Sequence, residues 1–524
     1  MDGRIRATSD REAFGLGMVV DTMRGFNFPT WWVRFEVTLA HRDTPLTRED
    51  LGLGEPETAE GFSKQFDFTG FRFTQSGFDL DDYDQVWLFG DWPGVEANVS
   101  SVGDELIRDN PQWAIDDEEL LILAEWMDRG GGVFATGDHA MLGASMCHRI
   151  PRVRTMRRWT RAQGVPSYGD SDRNQTLVHV TSDQLDDEQD GWAQRIFPEM
   201  RALSRGPFFS GTAPHPVLCG RSGVIDYMPD HMHEGGLFED HEVRLDDSLD
   251  IPGYQRPEYP RLEPVVAPAA AIGGGGIAPE AYGVRPRPHV IAHGVTSNRG
   301  DPPRVFPMIG VYDGDPVGLG RVVVDSTWHH WFSYNLVGLR NLSPTVYASI
   351  QDYYRNVAIW LATPEQRASM LFAATWGSVV GSPPGVLDAE LGLWGVGERV
   401  VDVIGRSAPE CIVDELVAAV AALPSAIPRD ESDGSWVWAS PGRNLATVVV
   451  GSVAIPMINL AHDFVNEQTH GRDRELDLEE IHRIGHAGVA AANRELRNAF
   501  LQAQSSYQRY ADMLGEQGDA EQAD

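Results

Sequence analysis

The sequence predicts an α/β fold: a mostly parallel sheet with helices on both faces, followed by a mainly helical C-terminal region. Two observations lead there. Between residues 83 and 136 a short apolar run, a Leu- and Glu-rich stretch and a second apolar run follow one another. That is the order of a βαβ unit, which implies parallel strands. After about residue 345 the apolar residues change to three- and four-residue spacing, the pattern of packed helices.

Taken in chain order, residues 83–91 form an apolar run ending in a glycine turn, the mark of a buried strand. Residues 116–129 read as a helix with acidic residues in its first turn and Gly130, Gly131 and Gly132 as its stop. Residues 133–136 are the following strand. Residues 148–161 carry Arg149, Arg152, Arg154, Arg157, Arg158 and Arg161. This run is either an anion-binding wall or, as surface charge runs usually are, a helix paired with the acidic surface. Residues 252–288 are rich in Pro, Ala and Gly and read as an insertion or lid. Strands return at 289–293, 305–312 and 320–324, and Asp313-Gly314-Asp315-Pro316 predicts an antiparallel hairpin between the last two. Helices are predicted at 345–362, 411–423 and 476–514, with a polar break at 430–434. The expected division is 1–345 for the α/β domain and 346–524 for the helical region.

Composition narrows the function. A formal net charge of −34 disfavours nucleic acid and anionic membrane surfaces as partners. Lys64 is the only lysine, so a Gly-Lys-Ser/Thr phosphate loop is excluded. Cys147, Cys219 and Cys411 are few, odd in number and far apart, which predicts no disulfide framework and a reducing compartment. No apolar leader stands at residues 1–6, so a cytoplasmic location is expected. Residues 446–461 are apolar, but sixteen residues fall short of the roughly 20 needed to span a bilayer, so a buried element is expected.

Three polar clusters carry the chemistry: Gly137-Asp138-His139, residues 229–235 (Pro-Asp-His-Met-His-Glu-Gly) and residues 325–331 (Asp-Ser-Thr-Trp-His-His-Trp). The first and third directly follow apolar runs, and strand ends are where open α/β sheets build sites. His231 and His233, two apart, can share one face of an extended segment and one metal ion. Asp325 and His329 complete the expected metal set, with Zn, Mn or Fe as the ion. Asp138, His139, Glu234 and His330 are the expected proton-moving residues. Only one of the adjacent His329 and His330 is expected in the pocket, with Trp328 and Trp331 as apolar walls. Gly143-Ala144-Ser145-Met146-Cys147 nearly matches a nucleophile motif, but it lies too far past the strand end to serve as one. His482 and His486 have metal-pair spacing, yet Arg483 stands where a zincin would place Glu.

In residues 83–90, in 130–134 leading to Gly137-Asp138-His139, in His215-Pro216, and in 320–322 leading to the late histidines, the chain resembles the class I glutamine-amidotransferase-like superfamily. The nearest branch is the trehalose-utilisation-protein-like group. The resemblance covers about residues 80–345 and implies a flavodoxin-like sheet with the site at the strand carboxyl ends. Asp138-His139 stand where amidotransferases have a cysteine, so glutaminase activity is not expected. The expected function is metal-dependent hydrolysis or lyase chemistry on a small polar substrate, a carbohydrate among the candidates. The alternative is a non-catalytic binding or assembly protein. The helical region is the expected surface for homo-oligomer formation.

Overall fold

The computed structural model describes residues 1–2, 5, 7, 14–25, 34–42, 64–92, 114–138, 141–165, 193–204, 210–229, 236–261, 285–295, 305–382, 387, 389–420, 426–430, 435–439, 442–469, 479–492 and 494. His139, His231, His233 and Glu234 lie outside them, as does most of the 252–288 insertion.

A six-stranded sheet organises the N-terminal part. Its strands are β1 (Gln85–Phe89), β2 (Gly132–Thr136), β3 (Phe197–Pro198), β4 (His289–Val295), β5 (Val305–Tyr312) and β6 (Val322–Asp325), in the order β1-β2-β6-β5-β4-β3. Helix α1 (Asp117–Met127) connects β1 to β2 as the βαβ reading expects, and Asp116 with Glu119 closes a capping box at its start. β1, β2 and β6 run parallel; β6–β5, β5–β4 and β4–β3 are antiparallel. The sheet is therefore mixed, which corrects the mostly parallel expectation. Residues 313–321 are too few for a crossover, so β5 can only return antiparallel to β6. The expected hairpin is there, with Tyr312 opposite Val322.

Alternation along the strands builds two layers. Phe89, Phe134 and Val323 face Tyr353, Tyr354, Val357 and Trp360 of α2 (Pro344–Leu361). Leu88, Val133, Ala135, Val322 and Val324 face Leu120, Leu123 and Met127 of α1, with Met141, Met156 and Trp159 beside them. Helix α2 thus belongs to the sheet's core, and the core changes after it rather than at residue 345. The second core is built from α3 (Pro364–Gly381), α4 (Gly392–Gly405), α5 (Glu410–Val420) and α6 (Gly442–Thr469). This region is not wholly helical. Strands Ala426–Asp430 and Ser435–Ala439 flank the polar break and join Arg201–Ser204 and Ser210–Ala213 in a four-stranded sheet. The segment Leu445–Asp463 of α6 is apolar and long enough to cross a bilayer, but 67% of it is buried inside the protein.

Arg321 and a cystine tie the two cores together. Arg321 Nε reaches Asp313 Oδ1 at 2.9 Å, Nη2 reaches Asp315 Oδ2 at 3.0 Å, and Nη1 reaches Glu415 Oε2 of α5 at 2.9 Å. Its guanidinium lies over the Trp360 ring, 4.5 Å from the centroid. Cys219 is bonded to Cys411 of α5, which corrects the expectation of no disulfide. The two cysteines are 192 residues apart in sequence, and nothing in that spacing signals their meeting.

Candidate functional site

β2 and β6 are parallel neighbours with Thr136 opposite Asp325, so the first and third clusters leave the sheet side by side at its carboxyl edge. Gly137 makes the exit possible. A Cβ there would lie 2.1 Å from the carbonyl of Leu142, to which Asp138 N–H donates at 3.2 Å. The tight turn points Asp138 across to the β6 end.

The Thr327 hydroxyl donates to Asp138 Oδ1 at 2.7 Å and accepts the His329 backbone N–H at 3.0 Å. It thereby caps the single helical turn Trp328–His330 and fixes that turn against Asp138. His329 Nε2 stands 3.4 Å from Asp138 Oδ2. The Asn335 side-chain amide donates to the His329 carbonyl at 2.9 Å. Asp138 is 1% and His329 5% exposed, so the pair meets in a largely dry setting.

Asp325 and His330 form a second pair. The carboxylate Oδ2 of Asp325 accepts His330 Nδ1–H at 2.8 Å, Trp331 Nε1–H at 3.2 Å and Tyr353 O–H at 3.1 Å, and Oδ1 accepts Thr327 N–H at 3.3 Å. Its oxygens are taken up by protein donors, whereas the sequence reading grouped Asp325 with His329 as ligands of one ion. With Nδ1 holding the proton, His330 presents Nε2, a buried nitrogen that has no hydrogen-bond partner among the described residues. The structure thus separates the adjacent histidines: one faces Asp138 and the other Asp325.

The basic run is not one helix. It holds the four-residue helix Val153–Met156, entered through Arg152 at φ 70°. Several of its arginines meet carboxylates: Arg149 with Asp117 at 2.5 Å, Arg152 with Asp128 at 3.2 Å, Arg154 with Glu258 at 2.7 Å and Arg158 with Glu242 at 2.7 Å. Glu258 also comes from the start of the 252–288 insertion, whose residues 252–261 pack onto this run. Arg157 differs. Fully buried, it donates from Nη2 to the carbonyls of Asp138 at 2.6 Å and Ser326 at 3.0 Å, tying the two strand ends together. Burial pushes its guanidinium down to about 10, although Asp138 favours the charge. Arg157 and Thr327 carry roles that sequence reasoning did not single out. Six arginines in fourteen residues offer no way to choose one, and Thr327 gave no signal beyond its place inside a quoted cluster.

Other expected candidates have local roles. Ser145 donates to the Trp92 carbonyl at 2.8 Å, and burial pushes the Cys147 thiol up. His215 Nδ1 accepts the Val217 N–H, and its ring meets Trp360 edge-on. His482 and His486 both contact the Phe372 ring. Among the described residues no group of three or more His, Cys, Asp or Glu side chains is placed to hold a metal ion. Compared with known proteins, the chain matches no family model, no curated protein and no solved structure.

Proposed function

We propose that the protein is a metal-dependent hydrolase or lyase acting on a small polar substrate, such as a carbohydrate, at the carboxyl edge of β2 and β6. The observation that carries the proposal is the 3.4 Å separation of His329 Nε2 and Asp138 Oδ2. A charge-assisted N–H···O bond is shorter, about 2.7–2.9 Å. Two ligands each about 2.1 Å from one tetrahedral ion lie about 3.4 Å apart. In this reading Asp138 and His329 would hold the ion, Asp138 giving up the base's role expected of it, and His231 and His233, outside the described residues, are proposed as the further ligands. Held there, an ion would supply Lewis-acid polarisation of a carbonyl or activation of a water. His330 accepts or returns a proton through Nε2, held in that tautomer by Asp325; His139 and Glu234 remain candidates for the second proton transfer.

The finer fold reading, a divergent flavodoxin-like sheet of the amidotransferase-like kind, belongs to this proposal and is supported by the β1-α1-β2 unit and the site's place at the strand ends. So does self-association through the helical region, where Trp394, Val380 and Leu391 are exposed. Cytoplasmic residence, proposed from the sequence, stands against the Cys219–Cys411 bridge, since disulfides belong to oxidising compartments, and the state of the bridge tests it. Protein from a reducing compartment, denatured under non-reducing conditions, presents three titratable thiols; protein with the bridge formed presents one.

Metal analysis of the purified protein tests the central claim. Stoichiometric Zn, Mn or Fe in the wild type, lost in Asp138→Asn and in His231→Ala/His233→Ala, supports it. If the wild type carries no metal and gains no thermal stability from Zn²⁺, Mn²⁺ or Fe²⁺, the protein is better read as a binding or assembly module.

A further inference from the structure

We propose that Arg157 and Ser326, either side of Gly236, bind an oxyanion group of a small ligand, a carboxylate or a phosphate. The inference deepens the proposed function by giving its substrate a charge, and so rests on that reading for its link to catalysis. Three observations carry it. Arg157 is fully buried, yet its Nε and Nη1 have no hydrogen-bond partner among the described residues; its bonds run from Nη2 to two backbone carbonyls. Ser326, 1% exposed, likewise has an unpartnered hydroxyl. The two side chains face one spot: a Cβ on Gly236 would lie 3.3 Å from Ser326 Cβ and 3.4 Å from Arg157 Nε.

A buried guanidinium left with open N–H groups is costly, and arginine is well suited to planar, charge-assisted recognition of carboxylate and phosphate. Buried arginines elsewhere in this chain meet the demand with protein carboxylates: Arg42 with Glu119, Arg152 with Asp128, Arg321 with Asp313 and Glu415. Arg157 instead has carbonyls on one nitrogen, a glycine against another and its Cζ over the Trp159 ring, 4.2 Å from the ring centroid. An anion accepting from Nε and from the Ser326 hydroxyl would lie against the bare Cα of Gly236, where a methyl group would crowd it. Because the same guanidinium holds the Asp138 carbonyl, the rest of the ligand would extend toward Asp138 and His329.

Gly236→Ala is the decisive variant, since it removes no donor and fills the cradle. Gly236 is not at positive φ, so alanine is compatible with its backbone. EDTA-treated wild type is titrated with inorganic phosphate and with acetate at constant ionic strength, followed by calorimetry and thermal shift. Saturable binding of phosphate alone identifies a phosphate group, and binding of acetate identifies a carboxylate. In either case Gly236→Ala weakens the dissociation constant by roughly tenfold or more, and Ser326→Ala weakens it several-fold. Ser326→Ala adds no atoms, so it carries the test if Gly236→Ala does not fold. Absence of binding by both anions, or equal binding by wild type and variants, overturns the proposal. Metal content is read separately: anion binding that depends on Gly236 in a protein without metal leaves this site standing and removes the metal reading.

Discussion

Asp325 holds His330 by its Nδ1–H at 2.8 Å while accepting two further side-chain donors on the same oxygen, Trp331 Nε1–H and Tyr353 O–H. Such a hub is structural whatever else it does. Asp325→Asn loses the charge that makes these bonds strong and places an amide among donors. The metal-free protein is expected to lose about 2–4 kcal/mol in urea denaturation. A variant as stable as the wild type would show that Asp325 does not organise this edge.

Thr327 joins two functions through one oxygen, donating to Asp138 and capping the turn that carries His329. Thr327→Val keeps the shape and removes both bonds. Stability is expected to fall by about 1 kcal/mol. Metal affinity, if the proposed function holds, should fall roughly 10–100-fold, as for other partners of ligating carboxylates. Titration of the apo protein with Zn²⁺ measures the second effect, and urea denaturation the first.

His289, on β4, is fully buried, and burial drives its imidazole down to about 4, below the usual 6.5. Burial likewise lowers His215. A lowered histidine is neutral in the fold and takes up its proton more readily when unfolded. Stability from this residue is therefore complete above about pH 6.5 and is lost progressively as pH falls toward 4. His289→Gln should flatten that part of the profile. Urea midpoints of wild type and variant between pH 4 and 7 decide the matter, and parallel profiles would sink it.

The Cys219–Cys411 bridge closes a loop of nearly two hundred residues. Its removal in Cys219→Ser/Cys411→Ser is expected to cost about 2–5 kcal/mol. Comparison of urea curves with and without reductant checks this. A wild type indifferent to reductant would mean that the bridge contributes little.

How much of this was legible beforehand depended on the range of the interaction involved. The β1-α1-β2 unit, the Asp313–Pro316 hairpin and the start of α2 follow from local periodicity and turn chemistry, and all were found within a few residues of expectation. Strand order was not legible: that β6 inserts beside β2 is set by contacts between segments nearly two hundred residues apart. The strands Ala426–Asp430 and Ser435–Ala439 were missed because they complete a sheet with residues 201–213, and helical patterning on either side outweighed them. Cluster position allowed Asp138, Asp325, His329 and His330 to be picked out. Their pairing turned on Thr327 and Tyr353, which orient them, and on Arg157, whose hydrogen bonds run to backbone carbonyls where neighbouring arginines meet carboxylates.

Arg321 also limits how the chain can be divided. Its charge is shared between the hairpin carboxylates Asp313 and Asp315 and Glu415 on α5, just four residues past the cystine at Cys411. A fragment ending after α2 would keep Arg321 but lose Glu415, and would expose a bare thiol at Cys219. The complementary fragment would carry Glu415 stripped of its counter-charge in what had been an interior. The two halves are therefore held as one unit: parting them leaves Glu415 without its counter-charge and each cysteine without its partner.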